Sequence, residues 1–230
     1  MELFAYNVLV RKLIRGIVEF RSSAQPGYRE KFAHLALGQM PDTLFIACSD
    51  SRVVPNLFAS ADPGDLFVVR NVGNLIPPAE GNGLSGSDES EAAAVEFSLE
   101  KLNVTDIIVC GHSECGAMQA VLAGRQSVDP PHLRSWLRHG EPAVEKLNRR
   151  QAPDASLARH NQLSQLNVLT QIDHLRSYPL VRRRIADGRL RLHGWWFELR
   201  NADVFAYEPG LSRFVLIDDD EAGSLLQRLQ

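Results

Sequence analysis

Cysteine is scarce in this 230-residue chain: there are three, widely separated. A sparse, odd set argues against a disulfide framework and suits a reducing compartment, where a thiol reads first as a metal ligand or catalytic group. Long apolar runs are also missing. No stretch reaches the roughly 20 residues that cross a bilayer. The opening MELFAYNVLVRKLIRGIVEF has neither the charged-then-apolar layout nor the small-residue cleavage site of a secretory leader. There is no charge excess: 25 Lys and Arg against 28 Asp and Glu leave a net charge of −3. Nothing therefore favours nucleic acid or an anionic membrane as a partner. The runs RRR at Arg182–Arg184 and DDDE at Asp218–Glu221 are short and read as solvated surface. Internal repeats and low-complexity tracts are absent. With 44% apolar residues, the expectation is a cytoplasmic globular protein with a sizeable core.

What is present alternates between helix and strand. The opening stretch has apolar residues at helical spacing with Arg and Lys between them, an amphipathic helix suited to packing on a partner subunit. Pro26–Leu37 reads as a second helix. Thr43–Ser49 and Pro63–Asn74 carry short apolar runs that read as buried strands, and Val104–Ser113 as a third. Asp88–Leu102 is a strong helix with an acidic first turn, and Ser113–Gly124 another, with Ser113 as N-cap and Gly124 as stop. A looser stretch follows to about Pro153. A long helix over Asp154–Leu175, capped by Asp154, and a shorter one over Pro179–Gly188 come next. Arg189–Leu199 and Asp203–Pro209 alternate like a hairpin. Strands separated by helices predict an α/β fold with a mostly parallel sheet, and in such sheets the site lies beyond the carboxyl ends of the strands.

Two strand ends carry chemistry. FIACSDSRVVPN (Phe45–Asn56) places Cys48, Asp50 and Arg52 at alternate positions after an apolar run. GHSEC supplies His112 and Cys115 across a strand-to-helix turn. Two thiolates and an imidazole make a three-ligand zinc set with a fourth position left for water. The plainer alternative is an inert core thiol at Cys48 and a polar cap at His112; Cys110 reads as core. A carboxylate beside a bidentate Arg is held in one orientation and kept ionised. Asp50 and Arg52 are either an ordinary loop ion pair or, beside a metal, a pair in which Asp50 ligates zinc or accepts a hydrogen bond from its hydroxide.

CSDSR, then GDLFVVRNVGN, then GHSECGAM together resemble the β-class carbonic anhydrases, over roughly Met1 to Phe214. The likeness is strongest to the plant-type branch, which includes bacterial cyanate-associated and cyanobacterial enzymes. It implies one zinc ion per subunit on Cys48, His112 and Cys115, with Asp50 and Arg52 as a gatekeeping dyad and Asp50 a possible fourth ligand. It implies Gln39 as a hydrogen-bond partner of substrate, an apolar lining from Phe67, Val72 and Phe97, and the Gly116 amide as a donor near zinc. The implied reaction is reversible hydration of CO2 to bicarbonate and a proton by zinc-bound hydroxide. The implied architecture is a single domain over 1–230: dimerisation helices at 1–38, a zinc-site core at 43–124, and C-terminal helices and strands at 154–217. Four sheet strands would be extended by an added C-terminal one, the subunit pairing as a homodimer or higher homo-oligomer.

A second branch of that family, which switches off through a non-catalytic bicarbonate pocket, has Trp where Phe45 stands, so an open site without that switch is expected. Two departures stand out. DESEAAAVEF puts Glu89, Ser90 and Glu91 where the family has a Gly-Gly pair and small residues, and Phe97 stands in place of Tyr. They motivate two alternatives: hydrolysis of COS or CS2 on the same scaffold, and a non-catalytic, zinc-stabilised assembly protein.

Overall fold

The computed structural model describes residues 2–149 and 156–228. The chain divides into two compact units, Met1–Gln39 and Met40–Gln230. The first is a pair of helices, α1 (Glu2–Ser23) and α2 (Gln25–Leu35). Pro26 falls in the first turn of α2, where its missing N–H leaves no intrahelical bond unmade. Val10, Leu13, Ile14, Ile17 and Val18 recur on α1 at three- and four-residue spacing, each more than half exposed. They form an apolar stripe down one helix face.

In the second unit the chain runs β1 (Thr43–Cys48), α3 (Pro55–Phe58), β2 (Leu66–Asn71), α4 (Ser90–Glu100), β3 (Asp106–His112) and α5 (Gly116–Ala123). It continues through α6 (Pro131–Trp136), α7 (Glu141–Arg149), α8 (Arg159–Ser177), α9 (Pro179–Ala186), β4 (Arg191–Glu198), β5 (Asp203–Glu208), β6 (Arg213–Leu216) and α10 (Asp219–Arg228). The strands make one sheet in the order β2-β1-β3-β4-β5-β6. The first four in that order are mutually parallel, and β5 and β6 add antiparallel. The C-terminal addition is thus two strands rather than the expected one.

Side-chain alternation explains the buried strands. Leu44 and Ile46 of β1 join Ile107 and Val109 of β3 on one face, under Val95 and Leu99 of α4 and Val168 and Ile172 of α8. Phe45, Ala47, Ile108 and Cys110 share the other face with Val53 and Phe197. Both faces are covered, so the strands read as unbroken apolar runs. Helix α8 comes close to the sheet at two glycines. A Cβ on Gly111 of β3 would lie 2.8 Å from Val168 Cγ2, and one on Gly194 of β4 would lie 3.0 Å from Val168 Cγ1. Val168 is therefore seated in a notch between neighbouring strands that no side chain could share.

Several sequence expectations are corrected. β2 is only half-buried, because it sits at the sheet edge. Ser113 does not cap α5, whose N-cap position is Cys115 without a side-chain cap; the Ser113 hydroxyl instead accepts the Leu199 N–H at 2.9 Å. The stretch expected to be loose contains α6 and α7. The long helix begins at Arg159, and the expected cap Asp154 lies outside the described residues.

Candidate metal centre

Cys48 closes β1 and His112 closes the neighbouring parallel strand β3. Both emerge at the carboxyl edge of the sheet, at the point where the chain crosses from β1 to β2 on one side and to β3 on the other. Cys115 follows on the turn into α5. The ligand atoms of Cys48, His112 and Cys115 lie within 4.8 Å of one another, and all three residues are buried. His112 Nδ1 donates to the Ser113 carbonyl at 2.8 Å, which fixes the tautomer and leaves Nε2 as the bare lone pair. That Nε2 is buried with no hydrogen-bond partner. A polar cap would have its nitrogen paired. An orphaned imidazole lone pair facing two sulfurs has the donor chemistry of a zinc site, so the residues fit that ion.

Local backbone prepares the sulfurs for negative charge. The Gly73 N–H donates to Cys48 Sγ at 3.3 Å. Gly73 has φ +84, and a Cβ there would meet Ala117 Cβ at 2.9 Å, so only glycine brings that amide so close. The amides of Ala117 and Met118, in the first turn of α5, point to the Cys115 sulfur, adding the positive end of a helix. Hydrogen bonds from the Cys115 thiol and the Gly73 amide hold the Cys48 thiol below its ordinary value. Cys115 is pushed up by its hydrogen bond to Cys48 and by burial. The pair thus shares one proton, which a dication between the sulfurs would displace. Cys110, fully buried among apolar side chains, is pushed up by burial and takes no part.

Asp50 is not in the ligand group. Its Oδ1 accepts from Arg52 Nε at 2.9 Å and from the Arg52 backbone N–H at 3.0 Å, and its Oδ2 accepts from Arg52 Nη2 at 2.8 Å. This bidentate pairing holds the carboxyl well below the usual carboxylate range. The loop is pinned by a residue the sequence did not suggest: Arg70 of β2 donates to the Cys48 carbonyl at 3.0 Å and the Asp50 carbonyl at 2.7 Å.

A carbonic anhydrase family model matches residues 43–204. The chain belongs to the β-carbonic anhydrase family. It is 39% identical to a carbonic anhydrase of Pseudomonas aeruginosa over 206 residues, covering 90% of this chain and 91% of the relative. It is 40% identical to one from Synechococcus elongatus, covering 85% and 70%. Among solved structures, the β-carbonic anhydrase CcaA superposes with a TM-score of 0.82 at 37% identity, covering 92% and 93%. One of two tetrameric β-carbonic anhydrases from Sordaria macrospora gives 0.61 at 28%, covering 94% and 98%.

Within this β-carbonic anhydrase fold the expected pocket residues separate. Val72 lines a cavity of about 660 Å³ together with Ser49, Asn71, Glu91, His132 and Trp136, and Gly116 opens α5 directly after Cys115. Phe67 pairs with Leu44, whereas Asn71 pairs with Cys48. Four residues of strand, about 13 Å, separate the two levels. Phe67 and Phe97 stack on each other, centroids 5.7 Å apart, away from the sulfurs of their own chain. Gln39 ends the first unit and is exposed. Glu91 is buried; its Oε1 accepts from Asn71 Nδ2 at 3.0 Å, its Oε2 has no partner, and burial pushes its pKa up.

The supporting residues that sequence reasoning missed lie on α8. Asn161 Oδ1 accepts the Glu114 N–H at 2.8 Å, and Ser164 Oγ donates to the His112 carbonyl at 2.7 Å while accepting from Trp196 Nε1 at 3.1 Å. Asn167 Nδ2 donates to the Gly73 carbonyl at 3.1 Å, and Gln171 Oε1 accepts the Ile76 N–H at 2.8 Å. The signal was present as polar residues at steps of three and four on a helix that also turns Leu163, Val168, Ile172 and Leu175 inward.

Proposed function

We propose that the protein reversibly hydrates CO2 to bicarbonate and a proton at one zinc ion per subunit, held by Cys48, His112 and Cys115. The observation that carries this is the buried, partnerless His112 Nε2 beside two sulfurs, next to a carboxylate tied by Arg52. Zinc would supply Lewis acidity that lowers the pKa of a water, less with two thiolate ligands than with three imidazoles, so activity should rise toward alkaline pH. Arg52 keeps Asp50 ionised and turned away from the ligand set, leaving a position free for water, an open site without a bicarbonate switch. The Asp50 carboxylate accepts a hydrogen bond from the attacking oxygen and aims its lone pair at the CO2 carbon. The Gly116 amide, at the positive end of α5, stabilises the oxygens that become bicarbonate. Val72 supplies apolar wall on this side.

The rest of the pocket is completed by a second subunit, as a homodimer or a higher homo-oligomer. The exposed apolar stripe of α1 and the distance of Phe67 and Phe97 from their own ligands support this. Gln39, Phe67 and Phe97 would then serve the partner's site. Three unpaired cysteines suit the cytoplasm. No described helix is long and apolar enough to cross a membrane.

Stopped-flow CO2 hydration by the zinc-loaded protein, beside Asp50→Ala, tests the reading. Turnover in the parent, lost by about 100-fold or more in the variant, is the expected result. No turnover with zinc bound would overturn it and turn attention to COS, CS2 or a non-catalytic role.

A further inference from the structure

The Asp50–Arg52 pair has an anchor outside itself. Arg52 Nη2 also donates to the Glu114 carbonyl at 3.2 Å. Among the described residues this is the one hydrogen bond tying the guanidinium to anything but Asp50. The Arg52 side chain is half exposed, so little else limits its motion. Glu114 can offer that carbonyl only because its backbone is left-handed, with φ +54. A side chain other than Asn, Asp or Gly rarely adopts this conformation, and it persists only where surroundings over-determine it.

Those surroundings are visible. The buried Asn161 accepts the Glu114 backbone N–H at 2.8 Å and returns its Nδ2 to Glu114 Oε1 at 3.0 Å. His160 Nε2 meets Glu114 Oε2 at 2.9 Å. One amide side chain thus grips both the backbone and the carboxylate of a residue in an unfavoured conformation. Building on the proposed reaction, we infer that Asn161 is a positioning residue: it locks Glu114 in the left-handed turn whose carbonyl holds Arg52, and through Arg52 it keeps Asp50 aimed.

The test is Asn161→Leu, matched in size but without the amide, made both in the parent and in a Glu114→Gly background. Glycine adopts φ +54 without penalty, so the clamp is needed less there. The expected result is a fall in kcat/KM of about tenfold for Asn161→Leu in the parent, with zinc content unchanged. Glu114→Gly alone should cost about threefold or less, and Asn161→Leu should add little to it. The readout besides activity is the Arg52 guanidinium in the ¹⁵N-arginine-labelled, zinc-loaded protein. Rotation about its Cζ–Nη2 bond is slow in the parent and at least several-fold faster in Asn161→Leu. If Asn161→Leu does not fold, Asn161→Ser, too short to reach Glu114, reads the same contact. Equal losses in both backgrounds, or an unchanged Arg52 signal, would overturn the inference. The Arg52 signal is read whether or not the protein turns over CO2, so failure of this inference is separable from failure of the proposed reaction.

Discussion

Gly111→Ala tests how the sheet and α8 together hold the ligand His112. The added methyl would lie 2.8 Å from Val168 Cγ2, 3.2 Å from the Ser164 carbonyl and 3.2 Å from Ser164 Oγ. No real Cβ tolerates the first contact, and the other two are tight, so α8 must move. Elsewhere, Gly→Ala in a compatible conformation stabilises by about 0.4–1 kcal/mol through the unfolded chain. Overpacking a filled core costs about 1–3 kcal/mol. The clash wins, and we expect a net loss of about 1–2 kcal/mol. The displaced residue matters as much as the amount, because Ser164 holds the His112 carbonyl. Zinc affinity should fall about tenfold with it. Urea unfolding of the zinc-loaded protein at fixed concentration measures the first quantity, and chelator competition the second. Val168→Ala removes the worst contact, so the double variant should lose less than the sum of the singles, by about 0.5–2 kcal/mol. A Gly111→Ala protein as stable as the parent, or strict additivity with Val168→Ala, would refute this account.

Three further outcomes follow from individual side chains. Glu91 has a folded pKa raised by burial, so the stability it contributes is present at low pH and lost as pH rises through that value. Glu91→Gln should therefore be more stable than the parent at pH 8, by about 1–2 kcal/mol, with the gap closing near pH 4 in denaturant titrations. His139 is the opposite case. Burial beside Arg138 and His174 holds it at about 4, below its ordinary 6.5. Stability from its neutral ring is complete above 6.5 and lost as pH falls toward 4, up to about 3 kcal/mol, and His139→Gln should flatten that slope. Cys48→Ser should purify with under about a tenth of the parent's zinc by elemental analysis and with a lower melting temperature.

The centre was legible in sequence where local pattern and chemistry coincided. Cys48 and His112 end apolar runs, and a run that ends a parallel strand delivers its last residue to one edge of the sheet. What eluded reading depends on contacts far along the chain. Ser113 looks like a helix cap because caps are local, but its hydroxyl is taken by Leu199 of a strand end far along the chain. Glu91 looks like ordinary first-turn acid, and only the third dimension buries it against Asn71. Phe67 and Val72 fall in one apolar run, but the register sets Phe67 beside Leu44 and Asn71 beside Cys48, a spacing that side-chain type alone does not encode.

The strand order carries a consequence for biosynthesis. Leaving β1, the growing chain lays β2 on one flank, and only later does β3 close on the other. Such non-local parallel pairings form slowly. Cys48 therefore exists for a time without His112 or Cys115 beside it, and no fragment that ends before Cys115 contains all three candidate ligands. Bound as proposed, zinc would lock β1 to β3 after the two have paired rather than start that pairing, with β4, β5 and β6 still further along the chain. On that reading both thiols would have to stay reduced until β3 docks beside β1.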